Sequence, residues 1–258
     1  MKIYTIGTSS GTHPIAGSHH VSTAIEINDS VYFIDAGECC GYSAHLYGVD
    51  LLKTRAIFIS HPHMDHVGGL GNLLWYVRKM NYYEKRYDFL HDEIKIFAPT
   101  QDIFDATMLL LKNTEGNFNT DWDHTFSLVN EKMLYADENI TVTAVANHHI
   151  PPKDGVAQSY SFIVKAEGKT LVFSGDIRLE DFDAVLPEKC DAFFVETGHH
   201  RIEEICVGIK RLGKKVDKLF FTHNGVYVMA DKNAAKRDLK LAFGENGYIC
   251  SDGENYEL

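Results

Sequence analysis

Long hydrophobic runs are absent from this 258-residue sequence, and cysteine is scarce. No segment approaches the roughly 18 apolar residues that a membrane-spanning helix needs. Polar and glycine residues interrupt the opening stretch MKIYTIGTSSGTHP, which therefore lacks the apolar core of a secretion signal. The five cysteines are odd in number and show no CxxC spacing, which argues against a disulfide framework. These absences predict a cytoplasmic protein with no membrane partner.

Positive charge is also in short supply. The chain has 25 Lys and Arg against 36 Asp and Glu, which gives a formal net charge of −11. This balance disfavours a broad basic surface for nucleic acid or for an acidic membrane. An anionic substrate remains open, because bound divalent cations would reverse the local sign of charge inside a pocket.

Short segments rich in Val, Ile, Phe, Tyr and Thr alternate along the chain with segments of helical spacing. Residues 28–29 and 167–169 have the composition of hairpin turns. Both halves mix strands and helices, so we expect an α/β sandwich in a single domain over residues 1–258. The predicted strands are 2–6, 22–28, 31–35, 56–60, 94–98, 140–146, 159–164, 170–174, 191–196 and 218–222, and the predicted helices are 66–80, 101–113, 201–213 and 231–243.

Residues 113–136 interrupt this alternation, because they are polar, aromatic and weakly periodic. A loop of this length in a compact domain is often a lid or a binding loop. A surface insertion with a packed Trp122 explains the same composition. Likewise, Phe118, Trp122 and Phe126 could cover a planar or apolar group or could form a local packing cluster.

The strongest chemical signal is His61-Pro-His63-Met-Asp65-His66, which follows an apolar strand and opens a helix-like segment. Residues two apart in an extended segment point the same way, so His61 and His63 can reach one ion together. Asp65 and His66 fall where the chain turns into the helix and can reach a second ion. Imidazole nitrogen and carboxylate oxygen suit zinc, and also manganese or iron.

This HxHxDH motif resembles the signature of the metallo-β-lactamase superfamily, and the resemblance continues along the chain in order. VYFIDAGE (31–38) resembles the family's early strand, which places Asp35 beneath the ligands. ANHHIPP (146–152), VFSGD (172–176) and FFTHN (220–224) resemble its third, fourth and fifth motifs. The resemblance implies a four-layer αββα sandwich, in which two mixed sheets carry helices on their outer faces.

The resemblance also implies two divalent metal ions, zinc in the first instance, with manganese or iron as alternatives. One ion would be held by His61, His63 and His148, and the other by Asp65, His66 and His223. Asp176 would bridge them. In the third motif, the order histidine, any residue, small apolar residue, proline favours His148 as the ligand, whereas a shift of one residue would select His149.

The N-terminal half is most similar to the ribonuclease Z-like and phosphodiesterase branch, through IGTSSGTHP (6–14) and HHVSTAIEI (19–27). That branch carries a glutamate at a later strand end and a histidine that donates a proton to the leaving group. Glu196 matches the glutamate, and His199 or His200 could supply the imidazole. The alternative is that both histidines only cap the next helix.

These features predict a binuclear metal-dependent hydrolase that uses a metal-bridging hydroxide on a small phosphodiester, with Asp65 orienting the hydroxide. The first alternative is a carboxylic-ester, lactone or thioester hydrolase with the same ligands. The second is a non-catalytic metal-binding or sensor protein.

The expected partner is a small anionic ester. We find no long tRNA-gripping arm of the ribonuclease Z type between His148 and His223, and the net charge is negative. We therefore expect no tRNA or other extended nucleic acid as a partner. A homodimer is compatible with the resemblance, since dimers are common in this superfamily.

Overall fold

The computed structural model describes residues 1–85 and 93–258. The chain folds into two compact units. The first unit comprises 1–7, 19–129 and 252–258, and the second comprises 8–18 and 130–251. The single domain over residues 1–258 stays a prediction.

Strands form two seven-stranded sheets, one in each unit. The strands are β1 (Lys2–Gly7), β2 (Ser22–Ile27), β3 (Ser30–Ile34), β4 (Thr54–Phe58), β5 (Glu93–Ala98), β6 (Asp123–Leu128), β7 (Met133–Ala136), β8 (Ile140–Ala146), β9 (Tyr160–Ala166), β10 (Lys169–Phe173), β11 (Lys189–Glu196), β12 (Lys215–Thr222), β13 (Gly247–Ile249) and β14 (Asn255–Glu257).

Helices connect most of the parallel strands. The α-helices are α1 (Cys40–Leu46), α2 (Met64–Val67), α3 (Leu70–Glu84), α4 (Gln101–Thr114), α5 (Phe182–Val185), α6 (Ile202–Leu212), α7 (Val226–Ala230) and α8 (Lys232–Ala242), and 3-10 helices lie at Leu51–Lys53, Gly116–Phe118 and Leu179–Asp181. In the described residues, every helix is too short or too polar to cross a bilayer.

The sheet of the first unit has the order β14-β1-β2-β3-β4-β5-β6. The pairs from β14 to β3 are antiparallel and those from β3 to β6 are parallel, so the sheet is mixed. Asn28 and Asp29 both have positive φ in the β2–β3 turn, as a tight hairpin requires. Alternate residues of the central strands pack with α3, for example Phe33 and Ile57 against Leu73 in one buried cluster.

The sheet of the second unit has the order β13-β12-β11-β10-β9-β8-β7 and repeats the same pattern. Its pairs are antiparallel from β7 to β10 and parallel from β10 to β13. Glu167 and Gly168 form the positive-φ turn between β9 and β10. Phe193 and Phe221 lie in one buried cluster with Ile205 of α6. The predicted α/β class with two mixed sheets is therefore confirmed.

The segment 113–136 differs from the predicted loop. It contains the end of α4, a short 3-10 helix and the strands β6 and β7. Phe118 and Trp122 are only 2% and 4% exposed and belong to the buried cluster of the first unit, with Phe126 packed against it. The aromatic residues therefore form a packing cluster: the rings of Phe118 and Trp122 meet edge to face, with 6.5 Å between their centroids, and Phe126 stacks on Phe104 of α4.

Candidate metal centre

The HPHMDH motif connects β4 to α2 in the first unit. The Nε2 of His61 lies 3.0 Å from the Nδ1 of His63, and the Nε2 of His66 lies 3.5 Å from a carboxylate oxygen of Asp65. His61 and His66 are buried, with 0% and 1% exposure, whereas the side chain of Asp65 is partly accessible. The structure thus brings together His61 with His63, the pair that the alternation of side chains predicts, and Asp65 with His66 at the turn into the helix.

Asp35 fixes the buried end of this motif. Its side chain is 2% exposed and accepts hydrogen bonds from the backbone N–H of Ser60 (2.7 Å) and from the Ser60 hydroxyl (2.9 Å). The Nδ1 of His66 lies 2.8 Å from Oδ2 of Asp35, the same oxygen that accepts from the Ser60 hydroxyl, whereas Oδ1 accepts from the backbone N–H. Since a carboxylate only accepts, Nδ1 carries the proton, which leaves the Nε2 lone pair of His66 for a metal. Asp35 therefore holds the ring of His66, a ligand candidate, in one orientation.

The backbone between α2 and α3 lies very close to the loop that follows β3. A Cβ added to Gly69 would lie 2.0 Å from the carbonyl oxygen of Gly37. No side chain fits there, so the chain passes directly from α2 over the 36–38 loop into α3. The N–H of Ala36 donates to the carbonyl of His66 (2.7 Å), which ties the end of the motif to the Asp35 loop.

The second unit contains its own cluster of donors. Asp176 follows β10 and His223 follows β12, and both are about as buried as Asp35, at 2% and 3% exposure. An Asp176 oxygen lies 3.3 Å from Nε2 of His223, and the other lies 3.8 Å from Nδ1 of His199. One ligand atom from each of these three side chains lies within 4.8 Å of the others. Of these three, the carboxylate of Asp176 and the imidazole of His223 are donors that suit a divalent transition metal, while His199 also contacts Glu196.

The two histidines of the third motif point to different acids. The Nε2 of His149 lies 3.5 Å from Asp176, and its side chain is 13% exposed. His148 is 69% exposed; its N–H donates to Asp181 (2.9 Å) and its Nδ1 contacts the other Asp181 oxygen. The sequence pattern favoured His148 as the metal ligand, but the structure places His149 beside Asp176. Asp181 was not found from the sequence, because it lies 33 residues further along the chain.

Glu196 and His199 form a second pair beside Asp176. Glu196 is 1% exposed at the end of β11 and accepts from the backbone N–H of His199 (2.8 Å), while Nδ1 of His199 lies 3.0 Å from its other oxygen. The His199 side chain is 46% exposed. The Nε2 of His200, in contrast, lies 2.7 Å from the carbonyl oxygen of Ile177. Of the two predicted imidazoles, His199 is therefore the one that lies beside both Glu196 and Asp176.

A protein-family model matches most of the sequence. The model described as "Anti-Pycsar protein Apyc1" matches residues 1–207. The ribonuclease Z of Methanocaldococcus jannaschii is 26% identical over 170 residues, which cover 64% of this chain and 47% of that protein. The chain thus spans about half the length of this relative, and 24% and 49% of the lengths of two further ribonucleases Z.

Solved structures share the fold over the full chain. Human tRNase Z, short form, has a TM-score of 0.75 at 16% identity and covers 100% of this chain and 99% of its own. The metallo-β-lactamase fold protein YhfI from Bacillus subtilis has a TM-score of 0.71 at 17% identity and covers 99% and 98%. The predicted metallo-β-lactamase fold and the ribonuclease Z-like resemblance are therefore confirmed.

The exclusion of tRNA and other extended nucleic acid as partners is wrong. Relatives in sequence are named ribonuclease Z, and a tRNase Z has the same fold. The exclusion relied on the lack of a long arm between His148 and His223 and on the net charge. The net charge averages over the whole surface and does not describe the few groups that contact a substrate. The family model, in turn, matches most of the chain, from residue 1 to residue 207. The chain belongs to the Anti-Pycsar protein Apyc1 family, within the metallo-β-lactamase superfamily.

Proposed function

We propose that this protein is a cytoplasmic, metal-dependent hydrolase of phosphodiesters that uses two divalent metal ions. A compact substrate such as a cyclic nucleotide is the first candidate, and RNA is tested beside it because of the ribonuclease Z relatives. The observation that carries the proposal is the pair Glu196–His199 next to the ligand candidates Asp176 and His223.

Each side chain has a role in this proposal. His61, His63, Asp65 and His66 in the first unit, and His149, Asp176 and His223 in the second, would hold the metals, with His148 as the alternative from the third motif. Asp65 would also orient the nucleophile. Divalent metals, when bound, supply Lewis acidity and activate water near neutral pH. These residues offer only nitrogen and carboxylate oxygen, the donors that zinc and manganese accept.

The proton for the leaving group would come from His199. Its Nδ1–H donates to Glu196, so the carboxylate holds the ring in one orientation and stabilises its protonated form. Nε2, the ring nitrogen on the other side from Glu196, is then the atom that delivers the proton to the departing oxygen. A sugar hydroxyl is a poor leaving group as an alkoxide, so cleavage of a nucleotide ester gains most from this donor.

Carboxylic-ester, lactone or thioester hydrolysis is the competing function. That chemistry needs a nucleophile and a polarised carbonyl, but it does not need a separate acid at the position of His199. A non-catalytic metal-binding protein would need neither. The Glu196–His199 pair therefore favours phosphodiester hydrolysis over both alternatives.

The test is hydrolysis of bis(p-nitrophenyl) phosphate by zinc- or manganese-loaded protein, followed by cyclic nucleotides and a precursor tRNA. His63→Ala serves as the blank, and His45→Ala, an exposed histidine of α1, as the matched control. We expect metal-dependent turnover in wild type and His45→Ala and a loss of at least about 100-fold in the blank. Two bound metals without turnover of any phosphodiester would refute the proposal and shift the search to carbonyl substrates.

A further inference from the structure

The segment between β11 and α6 carries the proposed proton donor, and several contacts hold it in place. Glu196 binds both the backbone N–H and the Nδ1 of His199. Before it, the hydroxyl of Thr197 donates to the Asn224 side chain (3.1 Å). These contacts hold the first residues of the segment. Other groups hold its last residues, where the chain enters α6.

The hydroxyl of Tyr227 holds the end of the segment that enters α6. It accepts a hydrogen bond from the backbone N–H of Ile202 (2.9 Å) and donates one to the carbonyl oxygen of His200 (3.2 Å). One oxygen thus bridges the two sides of Arg201, whose guanidinium lies 5.2 Å from the centre of the tyrosine ring. Burial raises the pKa of Tyr227 to about 12, so the phenol stays protonated and remains a donor at neutral pH.

The bridge also connects the donor segment with a ligand segment. Tyr227 lies in α7, four residues after His223. Between them, a Cβ added to Gly225 would lie 2.5 Å from the carbonyl oxygen of Thr197, so the two segments are in direct backbone contact. Loss of the Tyr227 hydroxyl therefore affects the backbone of residues 200–202 first, immediately beside His199.

We infer that Tyr227 is a positioning residue for His199. Its hydroxyl holds the backbone of 200–202 so that the His199 imidazole stays on Glu196 and beside Asp176. This inference rests on the proposed function, because it assigns a role within the same reaction. Tyr227 itself touches no ligand candidate through its hydroxyl, so it acts through the segment it holds.

Removing only the oxygen isolates this role. Tyr227→Phe keeps the ring next to Arg201 but leaves the N–H of Ile202 and the carbonyl of His200 without their common partner. A general acid contributes about 10²–10⁴-fold, and a displacement of about 1 Å can cost about 100-fold. We expect kcat to fall about 10- to 100-fold for substrates that need the proton, with KM unchanged.

The decisive readout is dependence on the leaving group. Bis(p-nitrophenyl) phosphate and diphenyl phosphate have similar shapes, but phenolate is the more basic leaving group and needs the proton more. We expect Tyr227→Phe and His199→Ala to reduce turnover of diphenyl phosphate about 10-fold more than turnover of the nitrophenyl ester. The double variant should lose no more than His199→Ala alone, since both changes remove one function. Equal losses on both esters, or additive losses in the double variant, would overturn the inference.

A second measurement does not depend on activity. In zinc-loaded protein with ¹⁵N-labelled histidine, the Nδ1–H resonance of His199 is the signal that His199→Ala removes. We expect it to broaden or shift in Tyr227→Phe and to stay in Tyr135→Phe, which deletes a tyrosine hydroxyl that bonds to Asp137 (2.8 Å) instead. An unchanged resonance in Tyr227→Phe refutes the positioning role. A wild type that turns over neither ester refutes the proposed function separately, because the resonance still reports on the position of His199.

Discussion

Replacing Asp35 by Asn is the sharpest perturbation of the first ligand set. The change keeps the size of the side chain, and asparagine tolerates the left-handed backbone at this position (φ 58°). What changes is the group that faces His66. In one orientation of the amide, its NH₂ group replaces the carboxylate oxygen that lies 2.8 Å from Nδ1 of His66. In the other, the amide oxygen stays near Nδ1 and the NH₂ group faces the backbone N–H of Ser60.

Either orientation of the amide costs metal affinity. With NH₂ toward His66, Nδ1 must become the acceptor, and the proton moves to Nε2, the atom that should bind metal. With oxygen toward His66, the amide cannot accept the Ser60 N–H that Asp35 now accepts at 2.7 Å. Loss of an outer partner of this kind reduces metal affinity about 10- to 100-fold. This corresponds to about 1.4–2.8 kcal/mol of binding free energy.

Zinc affinity is measured by competition with a chromophoric chelator at constant pH. Asp50→Asn is the matched control, because Asp50 in the same unit accepts from the backbone N–H of Leu52 (3.1 Å) and lies in a different turn. We expect wild type and control to bind zinc with the same affinity. In Asp35→Asn we expect the zinc affinity of one site to fall about 10- to 100-fold. If Asp35→Asn binds zinc as tightly as the control does, the assignment of Asp35 as the orienting group of His66 is refuted.

Three further predictions concern other parts of the molecule. His149→Ala should lower bound zinc in the loaded protein while His148→Ala should not, as measured by elemental analysis; the reverse result would restore the sequence-based preference. Gly198→Ala should displace the ring of His223, since the new Cβ would lie 2.7 Å from its Nδ1, and should weaken zinc binding about 10-fold. Unchanged zinc affinity would show that the His223 ring can move without loss of binding free energy. Burial among aromatic rings lowers the pKa of His124 from 6.5, so its contribution to stability is present above pH 6.5 and is lost as pH falls through the lowered value. Urea unfolding between pH 7 and pH 5 should therefore be less pH-dependent in His124→Leu than in wild type, and parallel curves would contradict this.

The interior strands of both sheets could be predicted because burial leaves a clear pattern. The later residues of the parallel strands β4, β11 and β12 read as continuous apolar runs (AIF, AFFV and LFF), since both of their faces are buried there. The hairpin turns at 28–29 and 167–168 were visible from residues that accept positive φ. All ten predicted strands have counterparts among β1–β5 and β8–β12.

The four strands that the sequence did not indicate are the outermost ones. β14 and β6 lie at the two edges of the first sheet, and β13 and β7 lie at the edges of the second. An edge strand pairs on one side only, and short polar edges are a common protection against unwanted pairing. β6 and β7 accordingly contain no fully buried residue, so their hydrophobic alternation is faint. The segment 113–136 resembled a loop for this reason.

The third motif shows why a metal ligand is harder to predict from the sequence than the fold. A strand can be located to within a residue or two from its composition, and an error of that size hardly affects the fold. In a motif with adjacent histidines, an error of one residue exchanges the side chain that faces Asp176 for the one that does not. The two histidines are distinguished by Asp181, whose carboxylate contacts both the backbone N–H and the ring of His148. Asp181 belongs to a short 3-10 helix after β10, and no local pattern connects it with residue 148. The identity of the ligand therefore depends on a tertiary contact, and adjacent histidines in a metal motif should be assigned from their acidic partners rather than from the motif alone.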